Sequence, residues 1–372
     1  MTRHLLRQVT SAAALAATLS GGNPLHAIAA PRHTDPAIAS LAPGWNRIAT
    51  GEGTSCIDGS AYAFYFRPGD PNRLAIIFAG GGACWSGPSC DTCGGAGYRI
   101  VATASKSLLE SKGLFNFADD RNPLRGFTCV FVSYCTGDVH LGTRVATYSA
   151  DSNQCHPDRQ LEIRHIGYAN ATAVLHWVFQ HAAEPRMVIV AGHSAGAIPT
   201  PFYAVRVAKR YPKARVVQFG DAAGGYDPAL SAVFLKAWHA DELLRQGWGG
   251  TGIPDSVLLT CEQVYVASSH VSPRIQFCQV NLASDSEQQR YLRLTGSRDS
   301  IATMLARNLG LLHRSIRRFR SFTAPGALHV VSEHDEFYST TMDGVALRDW
   351  LAALIAGRSV RDVGKGLLYP ER

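Results

Sequence analysis

The sequence predicts an α/β protein with a mostly parallel central sheet and helices on both of its faces. Two observations carry this prediction. Runs of branched and aromatic residues alternate along the chain with helical patterns, which is typical of strand–helix–strand units. Several of these runs are apolar on consecutive residues, as expected of strands that are buried on both faces. No internal repeat or low-complexity linker divides residues 30–372, so we expect one domain there.

The elements follow one another in a regular order. The predicted strands are AYAFYF (61–66), RLAIIFAG (73–80), FTCVFVSYC (127–135), MVIVAG (187–192), ARVVQFG (214–220) and RIQFCQV (274–280). Helical patterns cover residues 167–183 and 196–212, and the second carries its prolines in the first turns, where a helix tolerates them. A short strand-like piece and the helix GVALRDWLAALIAG end the chain.

The N-terminus is typical of a signal peptide. Arg3, His4 and Arg7 precede the apolar run SAAALAATL, and HAIAA then offers small residues for a peptidase. We therefore expect residues 1–29 to be removed on export to the periplasm or the outside of the cell; the alternative is an alanine-rich tail. No stretch reaches the roughly 20 apolar residues of a membrane span, so we expect no stable membrane insertion.

The cysteines fit an exported protein. Nine are present, and thiols pair as disulfides in oxidising compartments. Because nine is odd, at least one stays unpaired. Cys90 and Cys93 have the two-residue gap of a zinc or redox motif, but no second pair at matching spacing follows. We therefore expect a local disulfide there, no metal and no organic cofactor.

The charge is modest. The formal net charge is +7, and it falls to about +5 once Arg3 and Arg7 leave with the signal peptide. The densest basic run, HRSIRRFR (313–320), lacks the interleaved aromatic residues of a single-strand binder and is interpreted as a solvated helix face. We therefore expect no nucleic-acid partner. We also expect the protein to be a monomer.

One motif carries chemistry. Residues 192–196, GHSAG, have the G-x-S-x-G pattern and lie between a predicted buried strand and a predicted helix. In that setting the glycines relieve crowding at a strained turn, the nucleophile elbow, that projects the serine hydroxyl. A glycine–serine turn without chemical meaning is the alternative. The motif predicts Ser194 as a nucleophile.

A serine nucleophile needs a histidine base and an acid, in the order serine, acid, histidine. The C-terminal third offers His329, on a loop after a strand-like piece and a Pro-Gly turn. The rival is His334, in the polar cluster SEHDE. We favour His329, because the last strand of such a sheet should deliver the base there.

Three aspartates compete for the role of the acid. Asp221, Asp255 and Asp285 all lie between the serine and the histidine. Asp285 closely follows the predicted strand RIQFCQV, which matches an acid presented after the penultimate strand. Asp221 would serve if the acid came one strand early, or it only caps a turn. We favour Asp285.

Acyl transfer also needs backbone N–H donors for the oxyanion. The run IIFAGGGACW (76–85) places glycines directly after an early strand, where the α/β-hydrolase fold has this loop. We expect the N–H groups of Gly82, Ala83 and Ala195 to form the oxyanion hole, with Gly81 allowing close approach. The alternative is a flexible glycine turn.

Six stretches extend this interpretation: FAGGGACW, SYCTGDVHLG (133–142), AGHSAG, FGDAAGGY, ASDSEQQRY (283–291) and LHVVSEHDEFYSTTMDGVALRDWLAAL. Together they resemble the pectin acetylesterase / Notum family of serine carboxylesterases, in the family's order. The resemblance implies an exported, cysteine-rich protein with an α/β-hydrolase-like fold. It assigns Ser194, Asp285 and His329 to the triad, and it implies that Trp85 and Asp138 lie near the site. Together with Gly81, these two are the candidate substrate-binding residues.

The chain also departs from the family. His193 stands where plant and animal members usually have cysteine, and Gly82-Ala83-Cys84-Trp85 stands where they have Gly-Gly-Gly-Trp-Cys. The resemblance as a whole implies a carboxylesterase that acts on acetyl esters, with an acetylated polysaccharide or an acylated small molecule as substrate. The alternatives are a deacylase for longer chains and a catalytically silent protein that binds a glycan or lipid.

Overall fold

The computed structural model of the protein describes residues 38–92, 97–102, 109, 112–150, 159–182, 184–294 and 296–369. The signal peptide predicted for residues 1–29 lies outside these ranges. All described residues belong to one compact unit, His33–Arg372. Within them, no helix has both the length and the apolar character that a membrane crossing needs.

Twelve described strands form three sheets. They are β1 (Asn46–Ala49), β2 (Ala63–Arg67), β3 (Asp70–Phe78), β4 (Phe127–Val132), β5 (Arg144–Ser149), β6 (Gln160–His165), β7 (Met187–His193), β8 (Arg215–Asp221), β9 (Gln276–Leu282), β10 (Phe319–Ala324), β11 (Thr341–Met342) and β12 (Val345–Ala346). The main sheet has eight strands in the order β1-β2-β4-β3-β7-β8-β9-β10. From β4 to β10 all neighbours are parallel, whereas β1 and β2 are antiparallel additions at one edge. The predicted α/β-hydrolase-like fold is thus confirmed.

The apolar runs explain the centre of this sheet. Every residue of β4 and β7 is buried, and so is nearly every residue of β8 and β9. Consecutive burial requires cover on both faces, which the helices provide. All six predicted strands are present, with ends shifted by a few residues. β1, β5 and β6 do not follow from the apolar runs, because their residues alternate between burial and exposure.

The helices connect successive strands. They are α1 (Gly87–Cys90), α2 (Gly167–His181), α3 (Thr200–Arg210), α4 (Pro228–Ala237), α5 (Ala240–Gln246), α6 (Cys261–Val271), α7 (Ser286–Leu294), α8 (Ile301–Ser315), α9 (Glu336–Ser339), α10 (Leu347–Ile355) and α11 (Lys365–Leu368). The interpretation of residues 313–320 as one helix face is wrong. α8 ends at Ser315 and β10 begins at Phe319, because Ile316 and Phe319 are buried and turn the chain into the sheet.

Two disulfides are present among the described residues. Cys56 is joined to Cys135, and Cys84 to Cys90. The expectation of a local disulfide between Cys90 and Cys93 is wrong, because Cys90 is bonded to Cys84 instead. Three further described cysteines are buried thiols: Cys129, Cys261 and Cys278. Cys93 and Cys155 lie outside the described residues.

Candidate active site

The G-x-S-x-G motif forms a sharp turn at the end of β7. Ser194 has a φ of 52°, in the left-handed region that non-glycine residues rarely occupy, and it begins the short 3-10 helix Ser194–Gly196. A Cβ at Gly192 would lie 2.2 Å from the carbonyl oxygen of Gly196, and one at Gly196 would lie 2.2 Å from that of Phe78. Both glycines are therefore required by space, and the turn has the geometry of a nucleophile elbow.

The structure brings Ser194, His329 and Asp285 together. Nε2 of His329 lies 2.8 Å from Oγ of Ser194. On the other side of the ring, Nδ1 lies 2.8 Å and 3.0 Å from the two carboxylate oxygens of Asp285. A carboxylate accepts hydrogen bonds, so Nδ1 carries the proton and Nε2 is left to accept from the serine hydroxyl. This is the arrangement that serine hydrolases use.

Asp285 is held rigidly in a buried position. Its side chain is fully buried, and Oδ1 accepts the N–H groups of Glu287 and Gln288 at the start of α7. Nε2 of Gln288 donates to Oδ2, and Oε1 of Gln288 accepts the N–H of Gly225. These bonds fix the carboxylate plane, which in turn fixes the orientation of the His329 ring.

The electrostatics around His329 favour its protonated form. Burial, the largest effect, lowers the pKa of the imidazole, but the hydrogen bond and charge of Asp285 and the charges of Asp221 and Glu287 outweigh it. The net result is a pKa above the usual histidine value. An imidazole in this setting is suited to take up a serine proton, because the same carboxylates stabilise the imidazolium.

The rival residues lie elsewhere. Asp221 is buried at the end of β8, where Oδ2 accepts the N–H of Ser332 at 2.7 Å, and burial raises its pKa to about 6. Asp255 is exposed and pairs with Arg245. His334 directly follows the 3-10 helix Val331–Glu333. Of the three aspartates and two histidines, Asp285 and His329 are thus the acid and the histidine that the structure aligns with Ser194.

The glycine loop after β3 lies directly against the nucleophile. A Cβ on Gly80 would lie 2.9 Å from Cβ of Ser194. Gly82, Ala83 and Ala195 line one pocket with the serine. The Ala83 N–H, however, donates to the Tyr291 hydroxyl at 3.1 Å, so an oxyanion would have to replace that acceptor. Gly81 has a φ of 150° and is not among the lining residues.

The segment 133–142 supports this loop from behind. The Tyr134 hydroxyl donates to the carbonyl of Gly82 at 3.0 Å, and Nε2 of His140 lies 2.9 Å from that of Ala79. Asp138, a possible substrate-binding residue from the resemblance, does not line this pocket. It is fully buried, and its carboxylate accepts from the Thr136 hydroxyl and from two backbone N–H groups. Its position supports the segment rather than contacting the pocket.

The pocket beside Ser194 is small and mostly apolar. It encloses about 350 Å³, including its open mouth. Its aromatic wall consists of Trp85, Tyr226, Phe234, Trp238 and Tyr291. The hydroxyl of Tyr226 interacts with that of Ser194. Trp85, which the resemblance places near the site, packs against Phe234 and Tyr291, with ring centroids 6.4 Å and 6.5 Å away.

His193 does not belong to this lining. It is 5% exposed, and its Nε2 lies 2.7 Å from Oε1 of Glu333. Oε1 of Glu333 has no hydrogen bond of good geometry, so its contact with His193 is electrostatic. The residue that replaces the family's usual cysteine thus packs beneath the elbow.

One cluster of metal-binding residue types lies nearby. Cys84, Cys90 and His165 approach one another closely. The two sulfur atoms are joined in a disulfide, so this cluster offers no thiolate to a metal.

Sequence reasoning missed several residues that shape the site. Tyr226 and Tyr291 stand at the ends of the stretches FGDAAGGY and ASDSEQQRY, but nothing local shows that both reach the serine. Gln288 left a clearer signal. It lies three residues after Asp285, a spacing that lets its side chain return to the carboxylate at the start of a helix.

The comparison with known families agrees with this geometry. The pectinacetylesterase family model matches residues 46–230, about half of the chain. The matched part contains the glycine loop, the segment 133–142 and the elbow, whereas Asp285 and His329 lie beyond it. No curated protein matches the chain. From the matched core and the α/β-hydrolase-like fold, we conclude that the chain belongs to the pectinacetylesterase family of ester hydrolases.

Proposed function

We propose that the protein is an exported serine carboxylesterase that removes acetyl groups through an acyl-enzyme intermediate. The observation that carries the proposal is the continuous hydrogen-bonded chain from Ser194 through His329 to Asp285 at the wall of a pocket. A silent binding protein has no need for this alignment, so the geometry argues against that alternative.

The reaction would proceed in two halves. Ser194 attacks the ester carbonyl while its proton passes to Nε2 of His329, and the imidazolium then protonates the departing alcohol. Water, deprotonated by the same nitrogen, releases the acetyl group as acetate. Asp285 keeps the ring in the required tautomer and stabilises the imidazolium. The N–H of Ala195 and the backbone of the Gly82 loop are proposed donors to the oxyanion, each contributing about 3 kcal/mol.

The pocket supports a short acyl group. The space of about 350 Å³ includes the open mouth, so the enclosed part is smaller, and the bulky side chains of Trp85 and Phe234 form part of its wall. The family name supports an acetylated polysaccharide as the source of that group, and an acylated small molecule is the other candidate. Export is supported by the N-terminal sequence and by the two disulfides.

The test compares the wild type with Ser194→Ala on p-nitrophenyl acetate, butyrate and octanoate. We expect the wild type to prefer the acetate and the variant to lose activity by several orders of magnitude. Labelling by a fluorophosphonate, located by mass spectrometry, should map to Ser194. Equal hydrolysis by both proteins would refute the nucleophile, and a preference for octanoate would favour the longer-chain deacylase.

A further inference from the structure

Three ionisable side chains that the triad chemistry does not use lie close beneath it. His193 directly precedes the nucleophile and is 2.7 Å from Glu333. Asp221 stands opposite His193 in the register of β7 and β8, and it is buried. Burial of His193 and Asp221 and partial burial of Glu333, whose side chain is 19% exposed, cost free energy unless each group has a partner. Their shared position therefore requires an explanation.

One of the two carboxylates belongs to the segment that follows the base, and the other accepts a hydrogen bond from it. Glu333 ends the 3-10 helix Val331–Glu333, which begins two residues after His329. Asp221 accepts the N–H of Ser332 in the same helix at 2.7 Å. The His329 loop is thus joined at two adjacent residues to the ends of β7 and β8. The contact between Glu333 and His193 joins the loop to the residue that directly precedes Ser194.

The loop needs such support because its backbone is strained. Val330, between His329 and the 3-10 helix, has a φ of 64°. This left-handed conformation is a true outlier for a β-branched residue. Strained backbone of this kind persists only where the surrounding structure fixes it. If the contacts behind Val330 were lost, the backbone would relax and the His329 ring would leave the line between Ser194 and Asp285.

We propose that His193, Asp221 and Glu333 are positioning residues that clamp the His329 loop onto the nucleophile elbow. The charge state fits this role. Burial alone would raise the pKa of Glu333, but the charges of His193, Arg99 and His334 and the polar contact with His193 lower it, so the carboxylate remains ionised. Within the clamp, Asp221 is fixed by the backbone of Ser332 and Glu333 by His193.

The inference rests on the proposed function, because it assigns the clamp to the base of that reaction. Its test is a double-mutant cycle of His193→Gln and Glu333→Gln, which retain most of the side-chain volume. Each single variant should lower kcat for p-nitrophenyl acetate by between about tenfold and 10²-fold, with KM nearly unchanged, since a small displacement of a catalytic group has this effect. The double variant should lose no more than the worse single variant, because both remove the same contact.

A second readout does not depend on catalysis. The proton on Nδ1 of His329 should give a strongly downfield ¹H NMR signal in the wild type, and Asp285→Asn identifies it by abolishing it. The signal should broaden or disappear in both clamp variants. Glu336→Gln, which changes an exposed acid in the next helix, is the matched control and should alter neither readout. Thermal unfolding defines a temperature at which all variants are folded, and kcat is compared there.

The outcomes separate the two proposals. If both single variants keep kcat within twofold and retain the signal, the clamp is refuted while the esterase stands. Additive losses in the double variant would also refute it, because the two residues would then act independently. A wild type without esterase activity would refute the proposed function, and the NMR signal would still report whether the clamp orients His329.

Discussion

Replacement of Asp285 by asparagine should disable the base without disturbing the fold. Oδ1 of Asp285 accepts two backbone N–H groups of α7, so the amide oxygen of asparagine must take that place. The amide NH₂ then faces Nδ1 of His329 at 2.8 Å and Nε2 of Gln288 at 3.0 Å, where the aspartate has Oδ2. The amide NH₂ and the Nδ1–H group are both donors and cannot bond to each other, so the proton of His329 moves from Nδ1 to Nε2.

A histidine in that tautomer cannot accept the serine proton. The equivalent change in a well-studied serine protease lowers kcat by about 10⁴-fold, and we expect a loss of the same order here. That loss corresponds to about 5.4 kcal/mol of transition-state stabilisation. The backbone bonds to Oδ1 survive, so thermal stability should change far less than activity.

The assay is hydrolysis of p-nitrophenyl acetate by Asp285→Asn, with Tm measured on the same samples. Asp255→Asn is the control: the exposed side chain of Asp255 pairs with Arg245, and this variant should keep kcat within twofold. Asp221→Asn keeps an acceptor for Ser332 and should lose far less than Asp285→Asn. If Asp221→Asn instead lost several orders of magnitude and Asp285→Asn stayed active, the acid would be misassigned.

Three further predictions concern pH, stability and acyl length. Because burial lowers the pKa of His329 by less than Asp285, Asp221 and Glu287 together raise it, kcat/KM should fall as pH decreases through a value above the ordinary 6.5, and a limb below pH 6.5 would contradict this. Replacement of both Cys56 and Cys135 by serine should lower the free energy of unfolding by about 2–5 kcal/mol in urea titrations, because the disulfide closes a long loop; an unchanged midpoint would speak against it. Trp85→Ala should raise the butyrate-to-acetate ratio of kcat/KM by roughly tenfold, and a constant ratio would show that this residue does not limit the acyl pocket.

The parts of the molecule that local pattern determines were predictable from the sequence. The apolar run of β7 and the glycines around Ser194 predict a buried strand and an elbow, because burial on both faces and a crowded turn each constrain several adjacent residues. His329 and Asp285 could be chosen by their order and by the strands before them. The resemblance to a known family selected the same aspartate independently.

The remainder depends on contacts between distant residues. Asp138 has the appearance of a turn residue near the site, yet its carboxylate binds the N–H of Gly167, far along the chain. His193 and Glu333 approach one another across 140 residues, and Tyr291 reaches Ala83 across more than 200. Periodicity and spacing carry no information about such pairs, because they report only on neighbours along a strand or helix.

The parallel topology explains why four polar residues far apart in sequence meet at one edge. β7, β8, β9 and β10 are consecutive neighbours in the sheet, and they deliver Ser194, Asp221, Asp285 and His329 just beyond their carboxyl ends. The carboxylates of Asp221 and Asp285 thus both lie near His329. β9 lies next to β10, so Asp285 reaches the His329 ring, whereas β8 lies one strand further away and Asp221 reaches the backbone of Ser332. We therefore infer that the strand from which each acid comes decides its proposed role: Asp285 would orient the base, and Asp221 would hold the loop that carries it.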